Sequence, residues 1–186
     1  MMIRYIAFLR AINVGGHTVK MDTLRAIFES LGLARVETFI ASGNVIFETP
    51  AKDSKALESR IGERLKEELE YEVAVFLRTD AELAAIADYM PFKKSESDQA
   101  AALNVAFLAD PLDSALKRKL MTLKTDIDDF HVHGREIYWL CQKKQSESTF
   151  SNAVLERTLG VQATLRGINT ICKMADKYTP SGWEVG

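Results

Sequence analysis

The chain has 186 residues, 47% of them hydrophobic and 27% charged, which is enough apolar material for one ordinary domain or two small ones and excludes a globally disordered protein. A formal net charge of −2 excludes the basic composition typical of nucleic-acid binders, so we expect no nucleic-acid partner. No stretch approaches the roughly 18 apolar residues of a membrane span. The first residues lack a secretory signal and the two cysteines form no spaced framework, so we expect a cytoplasmic protein without a membrane partner.

The first half of the chain predicts the element order β-α-β-β-α-β. Short runs of β-branched and aromatic residues indicate strands, whereas apolar residues spaced three and four apart indicate amphipathic helices. The predicted segments are a strand at 3–9, a helix at 21–31, strands at 35–41 and 44–48, a helix at 57–69 and a strand at 73–78. Gly32 ends the first helix, and Ser42 and Gly43 form the turn between the two middle strands.

A further helix and a linker follow. Thr79 and Glu82 have the spacing of a capping box, which predicts a helix over 80–89. The next stretch, "PFKKSESDQA", has no apolar period and is typical of a linker. We therefore divide the chain into a subdomain at 1–92, a linker at 93–101 and a second subdomain at 102–186.

The second half repeats the same order of elements. Its predicted segments are a strand at 103–109, a helix capped by Asp110 with Pro111 at its first position, strands at 127–132 and 136–141 joined at His133-Gly134, a helix from Phe150 to Gly160, a strand at 161–166 and a final helix near 170–178. An antiparallel sheet with two helices on one face is the ferredoxin-like arrangement of this order. The predicted fold class is therefore α+β, with two ferredoxin-like (β-α-β-β-α-β) subdomains and antiparallel sheets.

Several motifs resemble a known bacterial family. "YIAFLRAINVGG", "VKMDTLR", "SGNVIF" and "NVAFLADP" resemble the family catalogued as domain of unknown function 1697, over nearly the whole chain. The resemblance implies a pair of ferredoxin-like α+β subdomains and no established activity. Two positions depart from the family pattern: Ala11 replaces a glycine, and Gly167 and Ile168 in "TLRGINT" replace an amide and a tryptophan. A ligand that stacked on that tryptophan would lose its platform here.

The loop with Gly15 and Gly16 is the main candidate site. It follows a strand and precedes a helix, where backbone N–H groups and the helix N-terminus can stabilise an anion. Arg10 and Lys20 would balance the charge of that anion, and Asn13 and Asn44 would orient it. A structural alternative explains the same residues, because the glycines suit a tight turn, Asn13 can bond to local backbone and Asp22 can cap the helix. Neither standard nucleotide-binding fingerprint is present.

Other segments join this site only if the fold brings them to it. Ser42, Gly43 and Asn44 contribute if their turn lies beside the glycine loop, since a binding site requires polar groups to converge. Arg166, Asn169 and Lys173 contribute if the two subdomains form a cleft. The sequence leaves both conditions open.

The histidines, acids and strands give no support for other chemistry. In the predicted hairpin His131 pairs with Glu136, which leaves Cys141 roughly 16 Å away, so we expect no metal site and no cofactor. No nucleophile motif or acid pair indicates a catalytic residue. The strand "NVIFE" lacks the basic and aromatic residues of an RNA-binding sheet.

We therefore expect a soluble protein that binds a small anionic or phosphate-bearing ligand at the Gly15-Gly16 loop. One alternative is an enzyme acting on a nucleotide-like metabolite between the subdomains, which requires a titratable group with a displaced pKa there. Another is a protein–protein interaction module, which requires an exposed apolar patch or a sheet edge paired in a homodimer.

Overall fold

The structure is a computed structural model that describes residues 1–13, 15–40 and 43–179. The elements in chain order are β1 (Ile3–Arg10), α1 (Met21–Ser30), β2 (Ala34–Thr38), β3 (Asn44–Thr49), α2 (Ser54–Leu69), β4 (Ala74–Thr79), α3 (Asp80–Asp88), α4 (Lys94–Gln99), β5 (Ala102–Leu108), α5 (Ser114–Met121), β6 (Asp128–His133), β7 (Glu136–Cys141), a 3-10 turn (Gln145–Glu147), α6 (Asn152–Leu159), β8 (Ala163–Gly167) and α7 (Ile168–Tyr178). Within these ranges no helix is both long and apolar enough to cross a membrane.

The chain forms two compact units, residues 1–86 together with the segment that starts at Met174, and residues 87–173. Each unit contains one four-stranded antiparallel sheet, with the strand order β2-β3-β1-β4 in the first and β6-β7-β5-β8 in the second. In the first unit α1 and α2 pack on one face of the sheet, and in the second α5 and α6 do the same. These sheets confirm the predicted fold class of two ferredoxin-like α+β units.

The strand β1 is buried on both faces, as its apolar composition predicts. Tyr5, Ala7 and Leu9 face the helices and belong to the hydrophobic core of the first unit. Ile6 and Phe8 point to the opposite face and are fully buried as well. Because each large apolar side chain contributes roughly 1.5–3 kcal/mol on burial, β1 is a main anchor of the first sheet.

Side chains cap the N-termini of α2, α3, α5 and α6. The capping oxygens, each accepting from the N–H group three residues further on, belong to Asp53, Thr79, Asp113 and Ser151. Glu82 also accepts from the Thr79 N–H group, which confirms the predicted capping box. The helices α1 and α7 differ, because Lys20 makes no capping hydrogen bond with its side chain and Gly167, which precedes α7, has no side chain.

The strand β2 ends earlier than predicted. It stops at Thr38 rather than near residue 41, because Ile40 has a φ of 59°, outside the β region. The N–H group of Phe39 donates to the carbonyl oxygen of Asn44, which closes the connection. Gly43 has the positive φ that the turn requires, 82°. The predicted turn residue Ser42 lies outside the described residues.

Two later segments, the predicted linker and the start of α5, also differ from prediction. The predicted linker contains α4, whose first turn is held by Glu96 as it accepts from the Lys93 N–H group. Asp113 caps α5, not Asp110, because Leu112 buries its side chain before the helix begins. The residues of α4 are all polar, so the spacing of apolar residues could not predict this short helix.

The second hairpin turns at Gly134-Arg135 rather than at His133-Gly134. Its register pairs His133 with Glu136 and His131 with Tyr138, so the predicted pairing of His131 with Glu136 is wrong. The left-handed residue, Gly134 with a φ of 59°, stands at the first turn position instead of the second.

Candidate functional site

The loop after β1 and the turn between β2 and β3 meet at one end of the first sheet. Phe8, near the end of β1, pairs with Asn44 at the start of β3. The N–H group of Leu9 donates to the carbonyl oxygen of Gly43 at 2.9 Å. Ile12 from the loop and Ile40 from the turn line one hollow. The first of the two conditions that the sequence left open is therefore met.

Contacts inside the first unit fix the course of the glycine loop. The Tyr71 hydroxyl donates to the carbonyl oxygen of Ile12 at 2.6 Å, and the His17 ring stacks on the Tyr71 ring with 4.2 Å between centroids. The Oδ1 atom of Asn13 accepts from the N–H group of Val19 at 2.9 Å. Asn13 thus bonds to the backbone of its own loop. This is the role that the sequence allowed for Asn13 as the alternative to binding a ligand.

The N-terminus of α1 opens at the same end of the sheet, because Met21 lines that hollow with Gly43. The backbone of Lys20 is extended there, with φ −67° and ψ 144°, and its side chain makes no cap. Asp22, the acid that would compete with a bound anion, pairs instead with Arg25. The first-turn N–H groups therefore carry neither an N-cap hydroxyl nor an N-cap carboxylate.

The hollow itself is small, with a volume of about 10 Å³, which is room for one water molecule. Gly15, Gly16 and Lys20 do not line it and are exposed to solvent. A ligand would therefore rest over the exposed loop and the helix end rather than inside an enclosed pocket.

Two apolar side chains at the hollow are unusually exposed. Met21 is 40% exposed and Ile40 is 49% exposed, although most large apolar residues of this unit are buried. Ile40 also has a φ of 59°, which is an outlier for a β-branched residue. Strained backbone of this kind concentrates at binding and catalytic sites.

The side chains of Arg10 and Asn44 point to the other face of the sheet, although Asn44 also lines the hollow. The alternation of β1 places Arg10 on the side of Ile6 and Phe8, away from the face that α1 covers. Asn44 is fully buried, and its Nδ2 group donates to the carbonyl oxygen of Phe39 at 3.0 Å. Asn44 therefore holds the β2–β3 turn in place.

The predicted residues of the second half belong to the second unit. Arg166 is 8% exposed, and its Nη1 group donates to Thr164 Oγ1 and to the carbonyl oxygen of Leu165, both at 2.8 Å. Burial lowers the pKa of the Arg166 guanidinium to about 10. Asn169 and Lys173 are exposed on α7. Arg166 therefore acts as an internal hydrogen-bonding group of β8.

The second unit also contains an open cavity of about 500 Å³, and Asn169 lines it. Asn104 and Cys172 line this cavity too, and the sequence reasoning singled out neither. Asn104 could have indicated this cavity from the sequence, because it is a lone amide inside the apolar strand sequence "LNVAFLA". A buried amide in a strand requires a hydrogen-bond partner, which can be another residue or a molecule in a cavity.

The two histidines of the second hairpin contact an aromatic side chain. The Tyr89 hydroxyl lies 2.8 Å from His131 Nε2, and the His133 ring stacks on the Tyr89 ring at 3.9 Å. Among the residues that the structure describes, no cluster of three or more histidine, cysteine or acidic side chains is placed to hold a metal ion. Both histidines of β6 therefore pack against Tyr89 within the second unit.

Comparisons with known proteins agree with this fold. A sequence model of the family described as "Protein of unknown function (DUF1697)" matches residues 2–138. The solved structure of the conserved bacterial protein SP0830 from Streptococcus pneumoniae is similar, with a TM-score of 0.77 and 23% identity over 95% of this chain and 98% of that one. No curated protein matches the chain. At this identity the structural likeness shows the fold alone.

Proposed function

This chain belongs to the DUF1697 family of proteins of unknown function, and we propose that it binds a small phosphate-bearing or otherwise anionic ligand beside the Gly15-Gly16 loop. The ligand's anionic group lies at the N-terminus of α1, next to Lys20, and its apolar body rests on Met21 and Ile40. The convergence of the glycine loop, a helix end without a side-chain cap and a strained, exposed Ile40 carries the proposal.

The helix end supports an anion on electrostatic grounds. The aligned peptide dipoles of α1 place about half a positive charge at its N-terminus, and unpaired first-turn N–H groups are donors for an oxyanion. Lys20 is exposed and adds a full positive charge at the N-cap position. Asp22 is held by Arg25 and does not occupy these donors.

The exposed apolar pair indicates what the rest of the ligand looks like. An exposed helix end contributes about 0.3–1 kcal/mol to anion binding, so an isolated phosphate binds weakly. A ligand body that covers Met21 and Ile40 adds burial of apolar surface at roughly 25 cal/mol per Å². We therefore expect a nucleoside monophosphate, with its planar base, to bind more tightly than inorganic phosphate or sulfate.

Calorimetry with inorganic phosphate, sulfate and adenosine monophosphate tests the proposal, using the wild type and Lys20→Asp. Aspartate at this extended N-cap position caps α1 and repels an anion, so this variant should gain about 1 kcal/mol of stability and lose at least tenfold in affinity. Lys117→Asp, on an exposed face of α5, makes the same charge change elsewhere and should bind as the wild type does. Absence of binding by all three probes, or equal weakening by both variants, would contradict the proposal.

We place this binding in the cytoplasm. Both cysteines are free thiols, Cys141 buried and Cys172 half-buried, which suits a reducing compartment. Cell fractionation of the tagged full chain tests the placement, and recovery in an oxidising compartment would contradict it.

A further inference from the structure

The 500 Å³ cavity of the second unit lies at the end of its sheet where β5 starts and β8 stops. Asn104 of β5 pairs with Gly167, the last residue of β8, and both line the cavity. The first turn of α7 contributes Ile168 and Asn169 to another wall. This volume falls within the range of about 300–1,000 Å³ that is typical of small-molecule sites.

Asn104, which lines this cavity, carries a buried donor without an acceptor among the described residues. The residue is only 7% exposed, and its Nδ2 group has no hydrogen-bond partner among the described residues. The side chain faces the helix side of the sheet, as Ala102 and Ala106 do. A buried donor without a partner is costly, so native proteins retain one mainly where a ligand, ion or water satisfies it.

The N-terminus of α7 is a second group of donors at the same place. β8 passes directly into α7, so Gly167 occupies the N-cap position and offers no side-chain oxygen to the first-turn N–H groups. The helix has 11 residues, enough for its aligned dipoles to favour a negative charge at this end.

The first unit has larger side chains at the matching positions. There Tyr5 pairs with Thr79 at the end of β4, as Asn104 pairs with Gly167 at the end of β8. Tyr5 is buried and its hydroxyl donates to the carbonyl oxygen of Ala51, while Thr79 caps α3. The second unit has a small amide and a glycine at the two positions that a phenol ring and a capping hydroxyl occupy in the first.

The other residues that line the cavity indicate which kind of ligand it can bind. Leu103, Met90 and the short side chains of Ala100 and Ala102 line the cavity, and no charged side chain from the described ranges does so. Half a positive charge from the helix offsets part of one negative charge on a ligand, whereas a phosphate dianion carries twice that charge and has no cationic side chain from the described ranges beside it. We propose that this cavity is a second binding site, for a small molecule with an apolar body and a single carboxylate, which accepts from Asn104 Nδ2 and from the first-turn N–H groups of α7.

Hexanoate titrated into the full chain and followed by 15N NMR tests this site. We expect saturable shifts of the Asn104 side-chain amide and of the Ile168 and Asn169 backbone amides, with a dissociation constant in the millimolar range, roughly that of an eight-atom ligand. Hexanol, without a charge, and hexyl phosphate, with a second charge, should each bind at least about tenfold more weakly. Equal binding of either compound, or no hexanoate binding up to about 10 mM, would overturn the proposal.

Two variants separate a binding role from a structural one. Asn104→Leu removes the donor and keeps a branched side chain, so hexanoate affinity should fall at least about tenfold while the melting temperature stays equal or rises. Gly167→Thr restores a capping hydroxyl, and the nearest atom to a Cβ there is Asn104 Oδ1 at an ordinary 3.8 Å, so this variant should be more stable and bind hexanoate more weakly. A loss of stability in Asn104→Leu, or wild-type affinity in either variant, would overturn the proposal.

Two further variants serve as controls. Gln162→Leu exchanges an exposed amide outside the cavity and should leave hexanoate affinity unchanged. Lys20→Asp, which blocks the α1 site, should also leave it unchanged, so that failure of one site is distinguishable from failure of the other. A change of affinity in both controls would show that hexanoate binds nonspecifically and would overturn the proposal.

Discussion

Gly43 lies so close to Ile12 that a Cβ atom on Gly43 would sit 2.7 Å from Ile12 Cγ2. A larger residue at this position would therefore force the β2–β3 turn or the Ile12 side chain to shift. Gly43 also has a φ of 82°, and its carbonyl oxygen accepts from the Leu9 N–H group. The candidate site of the first unit depends on this close approach.

Gly43→Ala should lower the free energy of unfolding by about 3 kcal/mol, because left-handed alanine costs about 1–2 kcal/mol and the overlap with Ile12 adds a similar amount. Gly32→Ala is the matched control, since Gly32 has a φ of 78° and no atom within 4 Å of a Cβ. Gly32→Ala should lower the free energy of unfolding only by the cost of a left-handed alanine, about 1–2 kcal/mol. Urea unfolding of both variants measures the difference, and equal losses would show that the contact with Ile12 is unimportant.

Ala11→Gly should stabilise the protein. Ala11 has a φ of 59°, a left-handed conformation that costs an alanine roughly 1–2 kcal/mol and a glycine almost nothing. Glycine loses more chain entropy on folding, so the net gain should be about 0.5–1 kcal/mol. Thermal unfolding measures it, and a lower melting temperature would contradict the assignment of strain to Ala11.

Asp128→Ala should strongly destabilise the second unit. The carboxylate is 1% exposed and accepts hydrogen bonds from Trp139 Nε1, Ser148 Oγ and Thr125 Oγ1, each at 2.8 Å. Its removal leaves these donors without their acceptor, at a cost of about 3 kcal/mol. Trp139 fluorescence during urea unfolding reports the loss. Asp126→Ala, at an exposed position two residues away, is the control and should change stability by less than about 0.5 kcal/mol.

Tyr71→Phe should loosen the glycine loop without unfolding the sheet. The substitution removes the hydrogen bond to the Ile12 carbonyl and keeps the ring on which His17 stacks. Loss of one such bond costs about 1 kcal/mol. Amide hydrogen exchange at residues 15–19 should quicken while exchange in β1 stays slow. Unchanged exchange in the loop would indicate that Tyr71 does not hold it.

Regular elements were predictable where local composition determines them. β1 was predicted because both of its faces are apolar, and α3 because Thr79 and Glu82 form a capping box. The sequence did not predict α4, whose residues are polar throughout, or the early end of β2, which depends on the left-handed backbone of Ile40. Neither feature leaves a periodic signal in the sequence.

The candidate sites were less predictable because they depend on which residues pair across the strands and on how much space the side chains leave between them. The sequence left open whether the glycine loop lies beside the β2–β3 turn, because that depends on the β1–β3 register. Strand alternation placed Arg10 and Asn44 on the opposite face, which the residue types alone do not indicate. Asn104 and Gly167, which line the second cavity, are smaller than Tyr5 and Thr79 at the matching positions, a comparison that requires both registers.

The most direct test of the proposed function is a 15N NMR titration of the full chain with adenosine monophosphate. The α1 site predicts saturable shifts confined to the amides of Gly15, Gly16, Ile40 and the first turn of α1 from Met21 to Thr23, and their loss in Lys20→Asp. Saturable shifts that leave these amides unmoved, or that persist in Lys20→Asp, would contradict it.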